Sequence, residues 1–400
     1  MKKFLTLLLV CMLAFALVAC APADEGTTDP DPEGGEGTAT GPAEVRIGLI
    51  GPMTGAGAQY GAAMKEAAEL AVEEINAAGG INGAEVVLFQ EDDASTPAQA
   101  VSAAEKLITQ DEVHFIVGNY NSSCSLAVME VTMRESVPHI NPISTAAAIT
   151  ESGSQFIFRN CATNPMQVTS VAEYLFATYP EATKYAIICE NTDYGIGMRE
   201  AFEALLPDHP EIEIVASEAY NAGDTDFMAQ LTNIQAADPD VLFCASNLTE
   251  GSQLYKQADS LGIDAIRFTM GGCSTPDFFE LAEGSAVGHY CASYFETSNE
   301  DPLVVDFVNA YVEKWGREPD MFAAATYEAI YLCQEAIETA EYVENIAEYR
   351  VNLAEALHAM ENVPGVQGGP TTFDETGQAE KGVLVVQWNE DGTKTIVQNV

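Results

Sequence analysis

Val45-Arg46-Ile47-Gly48-Leu49-Ile50 leads into a glycine-rich loop, Gly51 to Gly61, then a helical stretch from Ala62 to Ala77 that stops at Gly79-Gly80. A second apolar run, Val86 to Phe89, follows directly. Within the helical stretch, Met64, Ala67, Ala68, Ala71, Val72 and Ile75 recur at three- and four-residue spacing, so they share one face. The flanking runs are short and continuously apolar, as in strands covered on both sides. Strand, helix, strand is a β-α-β unit, in which the helix carries the chain back so that the two strands lie parallel.

The unit repeats along the chain. Ala98 to Ile108 and Ser123 to Arg134 read as helices, and Val113 to Val117 and Pro138 to Ile140 as strands. After Phe156-Ile157-Phe158 the alternation restarts. Helices are expected around Met166 to Ala177, Gly197 to Leu206, Phe227 to Ala236 and Gly251 to Leu261. The strands of this second series are Tyr185 to Cys189, Ile212 to Ala216, Val241 to Ala245 and Arg267 to Met270. Three helices (Leu303 to Lys314, Phe322 to Thr339, Ala347 to Met360) and the strand-like Thr371 to Phe373 and Val383 to Trp388 close the chain. Two β-α-β series, in a chain too long for one core, predict an α/β protein of two parallel, doubly wound sheets.

The N-terminus reads differently. Lys2 and Lys3 precede an apolar stretch, Phe4 to Leu17, that is short for a membrane span and long enough for an export signal. It ends Leu17-Val18-Ala19-Cys20, which resembles the lipobox of bacterial lipoproteins, so cleavage before Cys20 and lipidation of its thiol are expected. Ala21 to Ala43 is rich in Pro, Gly, Thr, Asp and Glu and reads as a disordered acidic tether. Sixteen basic against 61 acidic residues give a formal net charge of −45, which disfavours nucleic acid and anionic lipid headgroups as partners. Of nine cysteines, Cys11 falls in the signal and Cys20 at the cut. The remaining seven are odd in number, lack CxxC spacing and read mostly as free, buried thiols.

In doubly wound sheets ligands sit beyond the carboxyl ends of the strands, near helix N-termini. The loop Gly51 to Gly61 is glycine-rich, but Gly55, Gly57 and Gly61 do not give GxGxxG spacing and no P-loop Lys-Ser/Thr follows, so a nucleotide is disfavoured. Asn119-Tyr120-Asn121-Ser122-Ser123 and Asn141-Pro142-Ile143-Ser144-Thr145 each place hydroxyls at the start of a helix. Two readings stand: plain N-capping, or a shared carboxylate site built from hydroxyls and free backbone N–H groups. No nucleophile–base set, GxSxG, HExxH or metal-ligand spacing appears, so neither catalysis nor a metal or cofactor is expected.

At these loops the chain resembles the type I periplasmic binding proteins of the leucine/isoleucine/valine-binding branch, the solute receptors of ABC importers. The resemblance is carried by Gly51-Pro52-Met53-Thr54-Gly55, Gln59-Tyr60-Gly61, Ile75 to Gly83 (INAAGGING), Asp92-Asp93-Ala94, Asp193-Tyr194-Gly195-Ile196-Gly197 and Ala325-Thr326-Tyr327-Glu328-Ala329. It implies two Rossmann-like lobes joined by a three-crossing hinge that close on a ligand. The first lobe would comprise residues 44–160 plus 296–373 and the second 161–295 plus 374–400, behind a signal peptide at 1–19 and a lipidated tether at 20–43. It also implies that Ser122 and Thr145, with Ile143 and the neighbouring Asn121 and Ser144, hold a carboxylate. Tyr194 would help hold an α-amine, Tyr60 would line the side-chain pocket and Phe322 would close over it.

Two positions depart from the family pattern. Asn247 stands where a Tyr is usual, and Cys273 where an acid pairs with the α-ammonium. Either the ligand lacks an α-amine, or Asp193 or Glu250 serves from nearby. A disulfide of some relatives, at the positions of Ser95 and Asn121, is absent. The implied protein is a monomer, not an enzyme. It would be anchored through lipid on Cys20 at the outer face of the cytoplasmic membrane, delivering an amino acid or related carboxylate to ABC permease subunits. A sensor of the same fold is the alternative.

Overall fold

The computed structural model describes residues 41–55 and 57–399. The signal segment 1–19, Cys20 and the tether as far as residue 40 lie outside the described residues. Strand β1 (Glu44–Gly51) is central in its sheet because Val45, Ile47, Leu49 and Ile50 are all fully buried. Helix α1 (Ala58–Ala77) covers one face of it and ends at a local lock. There the Asn76 amide donates from Nδ2 to Val86 O and accepts at Oδ1 from Val86 N, both at 2.8 Å. Gly80 has φ +73°, and a Cβ there would lie 2.0 Å from Ala84 O, so only glycine fits the turn.

The first sheet is completed by β2 (Glu85–Asp92), β3 (Phe115–Gly118), β4 (His139–Asn141) and β5 (Ile157–Arg159), with α2 (Pro97–Thr109) and α3 (Ser122–Arg134) between them. Its order is β2-β1-β3-β4-β5, parallel throughout. The chain then enters a second sheet through α4 (Asn164–Thr178), followed by β6 (Lys184–Glu190), α5 (Asp193–Glu203), β7 (Glu213–Tyr220), α6 (Met228–Ala237) and β8 (Val241–Ala245). After these come α7 (Leu248–Leu261), β9 (Ile266–Thr269), α8 (Pro276–Ala282) and β10 (Tyr290–Ser293). The parallel part of this sheet, β7-β6-β8-β9-β10, repeats the strand order of the first.

The chain passes between the sheets three times. Helices α9 (Pro302–Trp315) and α10 (Met321–Thr339) pack back on α1, and α11 (Ile346–His358) packs on α10. The last passage leads to β11 (Leu384–Trp388) and β12 (Lys394–Asn399), which extend the second sheet beyond β10. β11 pairs antiparallel with β10 and β12 antiparallel with β11, so an antiparallel extension is added to the expected parallel sheet. Lys394–Asn399 lies at the sheet edge and holds only Ile396 and Val397 between polar residues, too short an apolar run to read.

Several boundaries also differ from the sequence reading, and two of them have a local cause. Helix α5 begins at Asp193, four residues before Gly197, because Thr192 Oγ1 accepts from Gly195 N and caps it. Strand β7 continues to Tyr220, where Asn191 N bonds Tyr220 O.

Buried polar residues hold the passages together. Arg159, fully buried, donates to Gln378 Oε1, Ala146 O and Thr150 Oγ1, while backbone bonds join Arg159 to Gly377 and Ala379. Lys381 and Glu328 form a buried ion pair at 2.7 Å, and Glu328 also accepts from Thr371 and from Gln367 N. The seven cysteines from Cys124 to Cys333 are all unpaired and buried.

Candidate ligand-binding site

The site is built from strand ends. Beyond β2, Asp92 accepts from Thr54 N, Thr54 Oγ1 and Ala94 N and so folds the first loop down. Asp93, buried, accepts from Asn119 Nδ2 at 2.8 Å and fixes the loop after β3. Ser144 donates to Asn119 O and joins that loop to the one after β4. Between them begins α3. Asn121 occupies its N-cap without a side-chain cap bond, and Ser122 Oγ accepts from Ala146 N of the neighbouring loop. Neither loop behaves as a plain cap. Asn121 Oδ1 and Thr145 Oγ1 are buried with no partner among the described residues.

The opposite wall comes from the second sheet. Glu190 ends β6, Thr192 and Tyr194 begin α5, Asn247 precedes α7, and Gly271 and Gly272 follow β9. Glu190 is 4% exposed, and burial together with the neighbouring Glu250 carboxylate raises its pKa to about 7. Its Oε2 accepts from Asn247 Nδ2 at 2.9 Å and from Thr192 Oγ1 at 3.3 Å. The hydroxyls of Tyr194 and of Tyr294, just past β10, are buried without partners among the described residues.

The walls meet. Tyr60 OH, from α1, donates to Gly272 O at 3.1 Å and accepts from Leu248 N at 2.9 Å. Tyr120 OH donates to Asn247 Oδ1 at 2.7 Å. The two tyrosine rings stack at 4.0 Å, and Phe322 meets both edge-on. What remains between the closed walls is an inner chamber of about 40 Å³. It shares Tyr120, Asn121, Ser123, Glu190, Thr192 and Asn247 with an outer chamber of about 210 Å³. Among the described residues, no Lys, Arg or His lines either chamber.

Of the residues singled out from sequence, Asn121, Ser122, Ile143, Thr145, Tyr194, Asn247 and Phe322 come together around the inner chamber. Tyr60 stands behind Tyr120 and lines the outer one. Ser144 and Cys273 line neither. The Ser144 hydroxyl ties loops together, and Cys273 Sγ, fully buried, points at Ser246 O and Asn247 O, 3.4 and 3.5 Å away. The two acids named as substitutes are also displaced. Asp193 is exposed, and Glu250 lines only the outer chamber, where it accepts from Gly223 N. Sequence reasoning missed Glu190, Tyr120, Gln167 and Tyr294. For Glu190 the signal was present: it follows the apolar run Tyr185 to Cys189, at the position that tips such a strand into a cleft.

Two lobes that present buried, unpartnered polar groups at facing strand ends define a solute-binding protein. The chain belongs to the periplasmic binding protein family, whose pattern matches residues 44–393. It is 30% identical over 355 residues to the leucine-, isoleucine-, valine-, threonine- and alanine-binding protein of Pseudomonas aeruginosa, covering 88% of this chain and 92% of that one. It is 31% identical over 335 residues to the Leu/Ile/Val-binding protein BraC3 of Rhizobium johnstonii, covering 84% and 89%. Among solved structures, it is similar to the branched-chain amino acid transporter substrate binding protein LivJ of Streptococcus pneumoniae in complex with isoleucine (TM-score 0.80, 29% identity, covering 89% and 99%). A second is the leucine binding protein LivK of Thermotoga maritima (TM-score 0.81, 26% identity, covering 89% and 98%).

Proposed function

We propose that this chain is the substrate receptor of an ABC importer and captures a small amino acid of the aliphatic class between its lobes. The observation that carries the reading is a set of buried polar atoms without partners among the described residues, all on side chains that line one chamber: Asn121 Oδ1, Thr145 Oγ1, Tyr194 OH and Tyr294 OH. A buried polar group left unpaired costs roughly 1–3 kcal/mol, so four together mark a place where a ligand supplies the missing bonds. The N-terminus of α3 offers its positive end and first-turn N–H groups to a carboxylate, where no basic side chain competes. The names of the relatives support an aliphatic amino acid, and the small inner chamber favours the shorter side chains.

Ser122, Thr145 and Ile143 are assigned to the carboxylate end, and Tyr120 and Phe322, with Tyr60 stacked behind Tyr120, to the aliphatic side chain. We further assign Cys20 as the lipidated residue, with the acidic tether as a leash that keeps the receptor beside its permease on the outer face of the membrane. The test is a thermal-shift and calorimetric screen of the purified chain against L-alanine, L-valine, L-leucine and L-threonine, since a ligand of the folded state raises stability by mass action. Failure of every amino acid to shift the melting temperature sinks the reading. Mass spectrometry of the mature N-terminus tests the anchor, with diacylglycerol on Cys20 expected and an unmodified or earlier N-terminus refuting it.

A further inference from the structure

Resting on that reading, we propose that Glu190 is the counter-ion of the ligand's ammonium group, so the cleft selects zwitterionic amino acids over simple carboxylates. Glu190 is buried at the junction of the two chambers and has two neutral donors, Asn247 Nδ2 and Thr192 Oγ1, both on Oε2. Its Oε1 receives no hydrogen bond from the described residues. No cation answers it either. Among the described residues no basic side chain lines the cleft, and the buried Lys381 is paired with Glu328.

A carboxylate removed from water without a counter-charge is costly, and its usual relief is protonation or pairing. An ammonium entering the inner chamber supplies the pairing. Its carboxylate can then lie at the start of α3, on the wall opposite Glu190, so the two ends of the cleft match the two ends of an amino acid.

Other candidates for this role fail on geometry. Cys273 turns its thiol to backbone carbonyls, Asp193 is exposed, and Glu250 sits in the outer chamber on Gly223 N. Asn247 supports the pairing from behind. Its amide donates to Glu190 and accepts from Tyr120, so it holds the carboxylate in place as the lobes close. The raised pKa of Glu190 agrees with a carboxylate awaiting a cation.

The experiment compares amino acids with their des-amino counterparts on the purified full chain: L-alanine with propionate, L-valine with isovalerate, L-leucine with 4-methylpentanoate. The wild-type protein is expected to prefer at least one amino acid by about 30-fold or more, the loss typical of removing one partner of a buried charge pair. Glu190→Gln should erase that gap, chiefly by lowering amino-acid affinity; Asp193→Asn should keep it. Equal binding of amino acid and des-amino acid by the wild type overturns the proposal, as does a gap that survives Glu190→Gln or vanishes in Asp193→Asn.

If none of the six compounds binds, the amino-acid reading itself falls and takes this one with it. Should Glu190→Gln fail to fold, wild-type affinity against pH decides. Amino-acid affinity should drop about tenfold per unit as pH falls below 7, and the propionate series should not follow it. The tyrosines and the histidine around Glu190 are silent in that range. Tyr120, Tyr194 and Tyr220 are raised far above their usual values by burial, and His139, behind the loop after β3, is lowered to about 4 by its own burial. Glu250 sits outside the inner chamber, and Glu250→Gln should move the pH dependence to lower pH, because its charge helps raise Glu190, without removing it; its complete loss there overturns the assignment.

Discussion

The hydroxyl of Tyr120 lies 2.7 Å from Oδ1 of Asn247, on the other side of the cleft. With the Tyr60 bonds to Gly272 and Leu248 it forms a polar seam that closes one wall on the other. Tyr120→Phe keeps the ring stacked on Tyr60 and removes only this bond. Ligand dissociation should quicken by about 2- to 10-fold, the range of one neutral hydrogen bond, with association little changed. Stopped-flow tryptophan or tyrosine fluorescence reads both rates.

Thr145→Val is close to isosteric and acts in opposite directions on ligand and fold. The Thr145 hydroxyl is buried and unpartnered among the described residues, so the valine variant should melt at the same or a slightly higher temperature. Affinity for an amino acid should fall by roughly 10- to 150-fold, the value of a hydrogen bond to a charged acceptor. Calorimetry beside a thermal melt separates the two effects. An undiminished affinity refutes the carboxylate assignment.

The unliganded protein should lose stability as pH rises through the range in which Glu190 ionises. Its folded pKa, about 7, lies above its ordinary value of 4.5, so the folded state keeps a proton that the unfolded chain has already released. This group therefore disfavours folding increasingly from about pH 4.5, with the full effect above about pH 7, on the order of 3 kcal/mol. Urea unfolding of wild type and Glu190→Gln at about pH 5.5 and about pH 8 should show the variant gaining relative stability at the higher pH. A saturating amino acid should reverse that order.

Lys381→Met leaves the Glu328 carboxylate buried without its cation, because the pair is sealed from solvent and Glu328 keeps only Thr371 and Gln367 N. A loss of about 3–5 kcal/mol is expected on chemical denaturation. Lys381→Met with Glu328→Leu should recover most of it. A double variant as unstable as the single one places the cost in packing and not in charge.

Much of the architecture was legible because it rests on local, repeated signals. The apolar faces of β1 and α1, the Gly79-Gly80 stop of α1 and the hydroxyl-bearing loops before α3 and after β4 each announce themselves within a dozen residues. What stayed hidden depends on partners distant in sequence. Lys394–Asn399 becomes a strand only because β11 offers it an edge. Helix α5 starts at Asp193 because a threonine cap outweighs two glycines. Asp193 and Glu250 stand out in the sequence ahead of Glu190 because residue spacing does not say which carboxylate a strand end carries inward. Cys273 looks like a hole in the site, yet its thiol is fully buried and turned to the carbonyls of Ser246 and Asn247.

The two sheets share one strand order, β2-β1-β3-β4-β5 and β7-β6-β8-β9-β10. A cleft between two copies of one plan has no built-in head or tail, for each half brings strand tips and helix starts of the same kind. Direction enters only through the side chains at those tips, hydroxyls after β3 and β4 on one half and a carboxylate at the end of β6 on the other. Polarity is thus a late and easily rewritten layer on a duplicated frame. On the proposed role of Glu190, moving one acid between neighbouring tips should re-address the cleft to a different solute while the cores stay as they are.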